Sequence, residues 1–258
     1  MNILTNIKNN VSDTLVMTGR VLNYTLRSID TIITVVAMPI MMMLMFVYVF
    51  GGSMNTGSVK YINYVVPGIV LMCILSGIAY TAVRLNNDVT KGIFERFHSM
   101  PIAKSSILGG HVVTSVLFNA FSTIVILAFA FIMGFRSDAG LTSWLLVALV
   151  LLLFTLAMTW TAVMFGLLAS NAEGAGVFSY LLLILLFISS AFAPTQTMPK
   201  LVRLFAENQP MTPIIEAVRS LLLGETSGNN ALTAILWCIG ILIVTYVASV
   251  GIYKRKAA

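Results

Sequence analysis

Six stretches of this chain contain no Asp, Glu, Lys or Arg: 31–59, 61–83, 105–135, 139–172, 174–199 and 226–253. Each is long enough to hold the ~20 apolar residues that cross a ~30 Å hydrocarbon core. A soluble core can hide one such helix, but six in series would leave too little charge to build a solvated surface. Only 9% of the 258 residues are charged and 59% are hydrophobic, whereas roughly one quarter of a soluble domain is charged. Lipid is therefore the solvent for much of the chain. In lipid every backbone polar group must be satisfied internally, which leaves helices or a closed barrel, and these runs do not alternate as barrel strands do. The expected fold is all-α: an integral membrane bundle of six transmembrane helices in a single domain, 1–258. An N-terminal cytoplasmic amphipathic segment, 1–30, precedes the membrane region, 31–253, and a cytoplasmic tail, 254–258, follows it.

Residues 1–30 carry Lys8, Asp13, Arg20, Arg27 and Asp30 with no compact apolar segment between them, so no cleavable signal is expected. Val11, Leu15, Thr18, Val21, Leu22 and Leu26 recur at helical spacing. That pattern fits a helix lying in the membrane interface or an ordinary solvated tail helix. Cys73 and Cys238 fall inside expected spans without a partner at disulfide or metal spacing, and read as small apolar fillers. The basic residues set orientation. With the N-terminus cytoplasmic, ten of the 15 Lys and Arg residues fall on inside segments and five on outside ones. This obeys the positive-inside rule and places both termini in the cytoplasm of a multi-pass plasma-membrane protein. The net charge of +6 then reports topology, and nucleic acid is not an expected partner.

Two connections are long and patterned. In 84–108, Ile93, Phe94 and Phe97 share a helical face while Lys91, Glu95 and Arg96 project elsewhere, and Pro101 stops the helix. Such a helix suits docking into a partner's groove or packing on its own bundle. In 195–230, Thr212 and Pro213 read as N-cap and first helical residue and Gly224 as the stop. Ile214, Ile215, Val218, Leu221 and Leu222 form the apolar face between them, with Glu216 and Arg219 opposite. This segment either dips into the membrane as a re-entrant element or lies flat on the surface.

No G-x-x-x-x-G-K-[ST] occurs, so the chain has no P-loop, and there is no Cys/His metal cluster, H-E-x-x-H or serine elbow. His98 and His111 read as solvated or packed residues. The spans contain no ionisable residue unless Arg84 or Glu173 sits just inside a boundary, which disfavours an ion-coupled carrier. Asn119, Ser122, Thr123, Thr155, Thr159 and Thr161 are polar positions suited to interhelical hydrogen bonds or a polar lining.

The arrangement resembles the permease subunits of ABC exporters of the ABC-2 class, most closely the daunorubicin-resistance type. Two motifs carry the resemblance: K-G-I-F-E-R-F-H-S-M-P-I at 91–102 and N-Q-P-M-T-P-I-I-E-A-V-R-S-L-L-L-G at 208–224. The resemblance implies a non-enzymatic half-transporter that pairs with a second permease copy, expected to form a homodimer, and with a separate ABC ATP-binding subunit carrying ATP and Mg. It implies that Lys91, Gly92, Ile93, Phe94, Glu95, Arg96 and Phe97 form the coupling helix that engages the ATPase. Pro210, Pro213, Glu216, Arg219 and Gly224 would belong to the extracellular gate segment. The expected cargo is a hydrophobic or amphipathic small molecule, with substrate-binding residues unassigned. A membrane scaffold and an ion channel remain the alternative classes.

Overall fold

The computed structural model describes residues 3–53, 59–94, 104–225 and 228–256, and every regular element among them is helical. The helices are α1 (Ile3–Arg27), α2 (Ile29–Phe50), α3 (Tyr61–Thr90), α4 (Lys104–Ile132), α5 (Leu141–Leu168), α6 (Ala172–Phe187), α7 (Lys200–Asn208), α8 (Met211–Leu222) and α9 (Gly228–Lys256). Five of them, α2, α3, α4, α5 and α9, are long and apolar enough to cross a membrane.

The charge-free run 174–199 does not become a sixth helix of that length. It yields α6, 16 residues long, about 24 Å at ~1.5 Å per residue and short of the ~30 Å core. Polar, uncharged residues interrupt the run: the Ser189 hydroxyl bonds back to the Leu186 carbonyl and accepts from the Ala191 amide. Helix geometry is lost there although no charge marks the point.

Helices α2 to α5 alternate in direction, α9 runs parallel to α5 with both ending near Phe94, and α3 is the central one. Of its apolar window 83% is buried, against 17% for α2 and for α9, so α3 forms the core while α2 and α9 turn most of their surface outward. Close backbone approach sets the spacing. A Cβ on Gly166 of α5 would lie 2.8 Å from the Ala82 carbonyl of α3, and one on Gly68 of α3 would lie 2.8 Å from the Ala191 Cβ. Small residues at membrane helix contacts allow this approach where apolar transfer no longer drives association.

Two expectations about the ends of the spans change. The helix begun at Tyr61 runs through Arg84 to Thr90, so residues 84–90 are its last turns and not part of a separate loop. Its charges sit on a continuous helix because backbone hydrogen bonding does not stop at the first ionisable side chain. At the N-terminus, α1 packs on α4 through Met17, Thr18, Val21 and Thr25, all buried, while Val11, Leu15 and Leu26 are exposed at 55%, 64% and 48%. The stripe expected as one face thus divides into a packed side and an apolar outer side.

Cys73 also departs from its expected role. Pro39, inside α2, has no N–H to give to the carbonyl four residues earlier, that of Val35. The Cys73 thiol donates to that carbonyl at 3.2 Å, and the helix relaxes into π turns at Ile33–Ala37 and Met45–Phe50 on either side of Met38–Leu44. Cys73→Ser, which keeps a donor, is expected to melt with the wild type in detergent. Cys73→Ala should lose about 0.5–1 kcal/mol, and equal melting of all three proteins would refute the assignment. Cys238 is buried and retains the filler reading.

Candidate functional site

The patterned connections fall at opposite ends of the bundle. At the end that gathers α1, the end of α3 and the end of α9, helix α3 stops at Thr90 and Lys91 is exposed. Gly92 takes φ +71° with nothing within 4 Å of where its Cβ would be. Left-handed backbone of this kind favours glycine and turns the chain away from α3. Ile93 is half-buried, and Phe94 is 8% exposed. The Phe94 ring meets Tyr253 of α9 edge-on at 5.9 Å and belongs to a cluster with Leu85, Ile107, Leu108 and Leu167. Phe94 therefore packs into its own bundle, while Glu95, Arg96 and Phe97 lie outside the described residues, as does His98.

Beside this turn lies an ionic network that no motif announces. Arg20 of α1 donates through Nη2 to both Asp88 carboxylate oxygens at 2.8 Å, and His111 Nε2 of α4 lies 3.1 Å from Asp88 Oδ2. Three helices are thereby tied through one buried carboxylate. One helical turn away, Arg84 donates to the hydroxyls of Thr25 and Thr31 (2.8 Å for Thr31) and lies 5.7 and 5.8 Å from the Tyr24 and Tyr80 ring centroids. Glu173 stands in the exposed first turn of α6, where Asn171 caps the helix by accepting from the Gly174 amide at 2.7 Å.

At the other end, α8 is embedded against α3, α5 and α9, with Ile214, Ile215, Val218, Leu221 and Leu222 all buried. It does not lie flat on a surface. Its start is two residues earlier than its Pro pattern predicts: Met211 is the first helical residue and Pro210 stands in the cap position. The Gln209 side chain accepts from the Met211 amide at 3.1 Å. Thr212 lies inside the first turn beside Pro213, its hydroxyl donating 2.6 Å to the Ala206 carbonyl. Helix α8 closes at Leu222, with Gly224 at φ +71°.

Arg219 is the organiser of this end. It is 6% exposed and donates to the carbonyls of Tyr64 at 3.1 Å and Ser190 at 2.5 Å, and to Glu216 at 2.9 Å. Its guanidinium lies 3.7 Å from the Tyr64 ring centroid, within cation–π range. One side chain thus joins α8, the start of α3 and the turn after α6. Next to it, a cavity of about 460 Å³ is lined by Glu207, Thr212, Pro213, Glu216, Asn230 and Trp237. Glu207 accepts from Arg203 at 2.8 Å and Thr195 at 3.0 Å, and these hydrogen bonds hold its carboxyl below the usual range.

Between the two ends, Ser115 of α4 meets Thr159 of α5 at 2.9 Å. Of the polar span residues singled out by sequence, only Thr159 makes such a bridge between helices. Asn119, Thr155 and Thr161 bond carbonyls of their own helices. An apolar cavity of about 430 Å³ lies among Ile74, Ile124, Leu127, Trp144 and Leu151, bordered by Thr123 and Thr155. No group of three or more His, Cys, Asp or Glu that could hold a metal ion occurs among the described residues.

The described residues form a helical bundle with five helices long and apolar enough to cross a membrane, the buried short helix α8 at one end and the Gly92 turn at the other. Residues 13–223 match the ABC-2 type transporter family, and the chain belongs to it. It is similar to the daunorubicin resistance ABC transporter permease protein DrrB1 of Streptomyces coeruleorubidus, with 29% identity over 223 residues covering 86% of this chain and 76% of the relative. The probable doxorubicin resistance ABC transporter permease protein DrrC of Mycobacterium tuberculosis (strain ATCC 25618 / H37Rv) is 25% identical over 251 residues, 96% of this chain and 90% of the relative.

Proposed function

We propose that this ABC-2 chain is the permease of an ATP-driven exporter that moves a hydrophobic or amphipathic small molecule out of the cytoplasm by alternating access. The match over residues 13–223 carries the reading, and the drug-resistance names of its relatives support the cargo class. The sequence has no P-loop, so ATP and Mg belong on a separate ATP-binding subunit. Two copies of the chain, each a single domain, form the pore as a homodimer. Both termini face the cytoplasm of the plasma membrane, and α6 with the turn after it completes a sixth crossing. Helix α8 is then the re-entrant gate element on the outer side, held by Arg219.

On this reading residues 91–97 transmit closure of the ATPase. Phe94 anchors the element to α9 and leaves Ile93, Glu95, Arg96 and Phe97 to engage the partner. Nucleotide shifts the conformational equilibrium only to the extent that it favours one state over the other. The test is affinity purification of the chain from its native membrane in mild detergent. A stoichiometric P-loop protein should co-purify and be lost with Phe97→Ala. Glu95→Ala should reduce transport and stimulated ATPase activity roughly tenfold with normal membrane insertion. A stable complex containing no nucleotide-binding chain would instead favour a membrane scaffold and sink the exporter.

A further inference from the structure

A cavity of about 580 Å³ separates the polar side of α1 from the last turns of α3 and the start of α4. Its walls include Arg20, Arg27, Arg84, Lys91, Asp88 and His111, four permanent cations facing one carboxylate. Asp88 is already engaged by Arg20 and His111. Arg27, Arg84 and Lys91 form no ion pair with a carboxylate among the described residues. Arg84 is the most demanding of them. Its half-buried guanidinium is held by two threonine hydroxyls and two tyrosine ring faces, which orient it without neutralising it. Withdrawing a cation from water without a counter-charge is costly, and a guanidinium fork matches phosphate oxygens two at a time.

The depth of the cavity can be read from α1. Val11, Leu15, Val16 and Leu26 leave that helix with an exposed apolar side, which seats a helix at the headgroup boundary. Arg20 and Arg27 line the cavity from the same helix. Basic pockets between helices at this level suit phosphate-bearing headgroups, and the volume is within the ~300–1,000 Å³ of ligand sites. We propose that the Arg27–Arg84–Lys91 cavity is a binding site for a phosphate group, supplied by an anionic lipid headgroup or as free phosphate. Arg84 is the fixed anchor, and Arg27 and Lys91 are the outer contacts.

Native mass spectrometry of the full chain in mild detergent, offered equal amounts of phosphatidylglycerol and phosphatidylcholine, tests this directly. Phosphatidylglycerol should be retained in preference. Arg27→Gln, at an exposed position, and Arg84→Gln should each weaken that preference roughly tenfold, while Arg84→Lys should keep part of it. A parallel arm adds inorganic phosphate. If phosphate displaces the bound lipid and raises the melting temperature of lipid-free chain, the site accepts free anions. If it does neither while phosphatidylglycerol stays bound, the lipid is the ligand. Equal retention of both lipids with no response to phosphate overturns the proposal, and so does a preference that survives Arg27→Gln and Arg84→Gln. Lipid retention is read without nucleotide or transport, so the outcome is independent of the exporter assignment.

Discussion

Arg219→Ala is expected to lower stability by about 3 kcal/mol, because removing the guanidinium leaves buried Tyr64 and Ser190 carbonyls without their donor at about 1–3 kcal/mol each. The side chain is 6% exposed and bridges α8, α3 and the turn after α6, so nothing from solvent replaces it readily. For a chain of this size the loss corresponds to a fall of roughly 6–12 °C in the thermal midpoint. Size-exclusion profiles of detergent-solubilised protein heated in steps would measure it. Arg219→Lys should fall as well, since an ammonium cannot reach two carbonyls and a carboxylate while lying over the Tyr64 ring. An unchanged midpoint for Arg219→Ala would show that the contacts of this residue contribute nothing to the fold.

Gly166→Leu should be comparably damaging for a steric reason. The added Cβ would lie 2.8 Å from the Ala82 carbonyl and 3.3 Å from its Cα. These are backbone atoms that cannot swing aside, so α5 must part from α3. Overpacking of this kind costs about 1–3 kcal/mol, and α3 is the helix around which the others are arranged. Gly240 of α9 is the control. Nothing lies within 4 Å of its missing Cβ, and Gly240→Ala should be neutral or slightly stabilising because alanine restricts the unfolded chain. If both variants insert and melt alike, close approach at Gly166 is not what holds the two helices together.

The long helices α2, α3, α4, α5 and α9 were legible because burial in lipid excludes charge, and the charge-free runs mark α4, α5 and α9 almost to their ends. The same criterion failed where helix and charge part company. It cut α3 at Arg84, though the helix continues to Thr90, and it carried the next-to-last span through Ser189, Pro194 and Pro199, which break a helix without adding charge. The helical character of 211–222 was legible from its apolar spacing, but Gln209 and not Thr212 supplies the first capping bond. Local pattern cannot choose between two polar side chains so close to the same amides. The Arg20–Asp88–His111 network was invisible, since it joins residues far apart in the chain whose meeting depends on how α1 docks. For Cys73 a signal was available: a proline inside a span frees a carbonyl, and a buried thiol is one of few side chains small enough to reach it.

The contact between Phe94 and Tyr253 has a practical consequence for anyone labelling this protein. It makes the final turn of α9 a structural neighbour of the Gly92 bend, although the two are remote in sequence. A bulky reporter fused after Lys256 would therefore hang beside the Phe94–Tyr253 contact, and its mass and linker tension would be felt there first. The turn between α4 and α5, at the far end of the molecule, offers Gly140, which has no neighbour within 4 Å of its missing Cβ. A probe inserted at that turn leaves the contact unloaded.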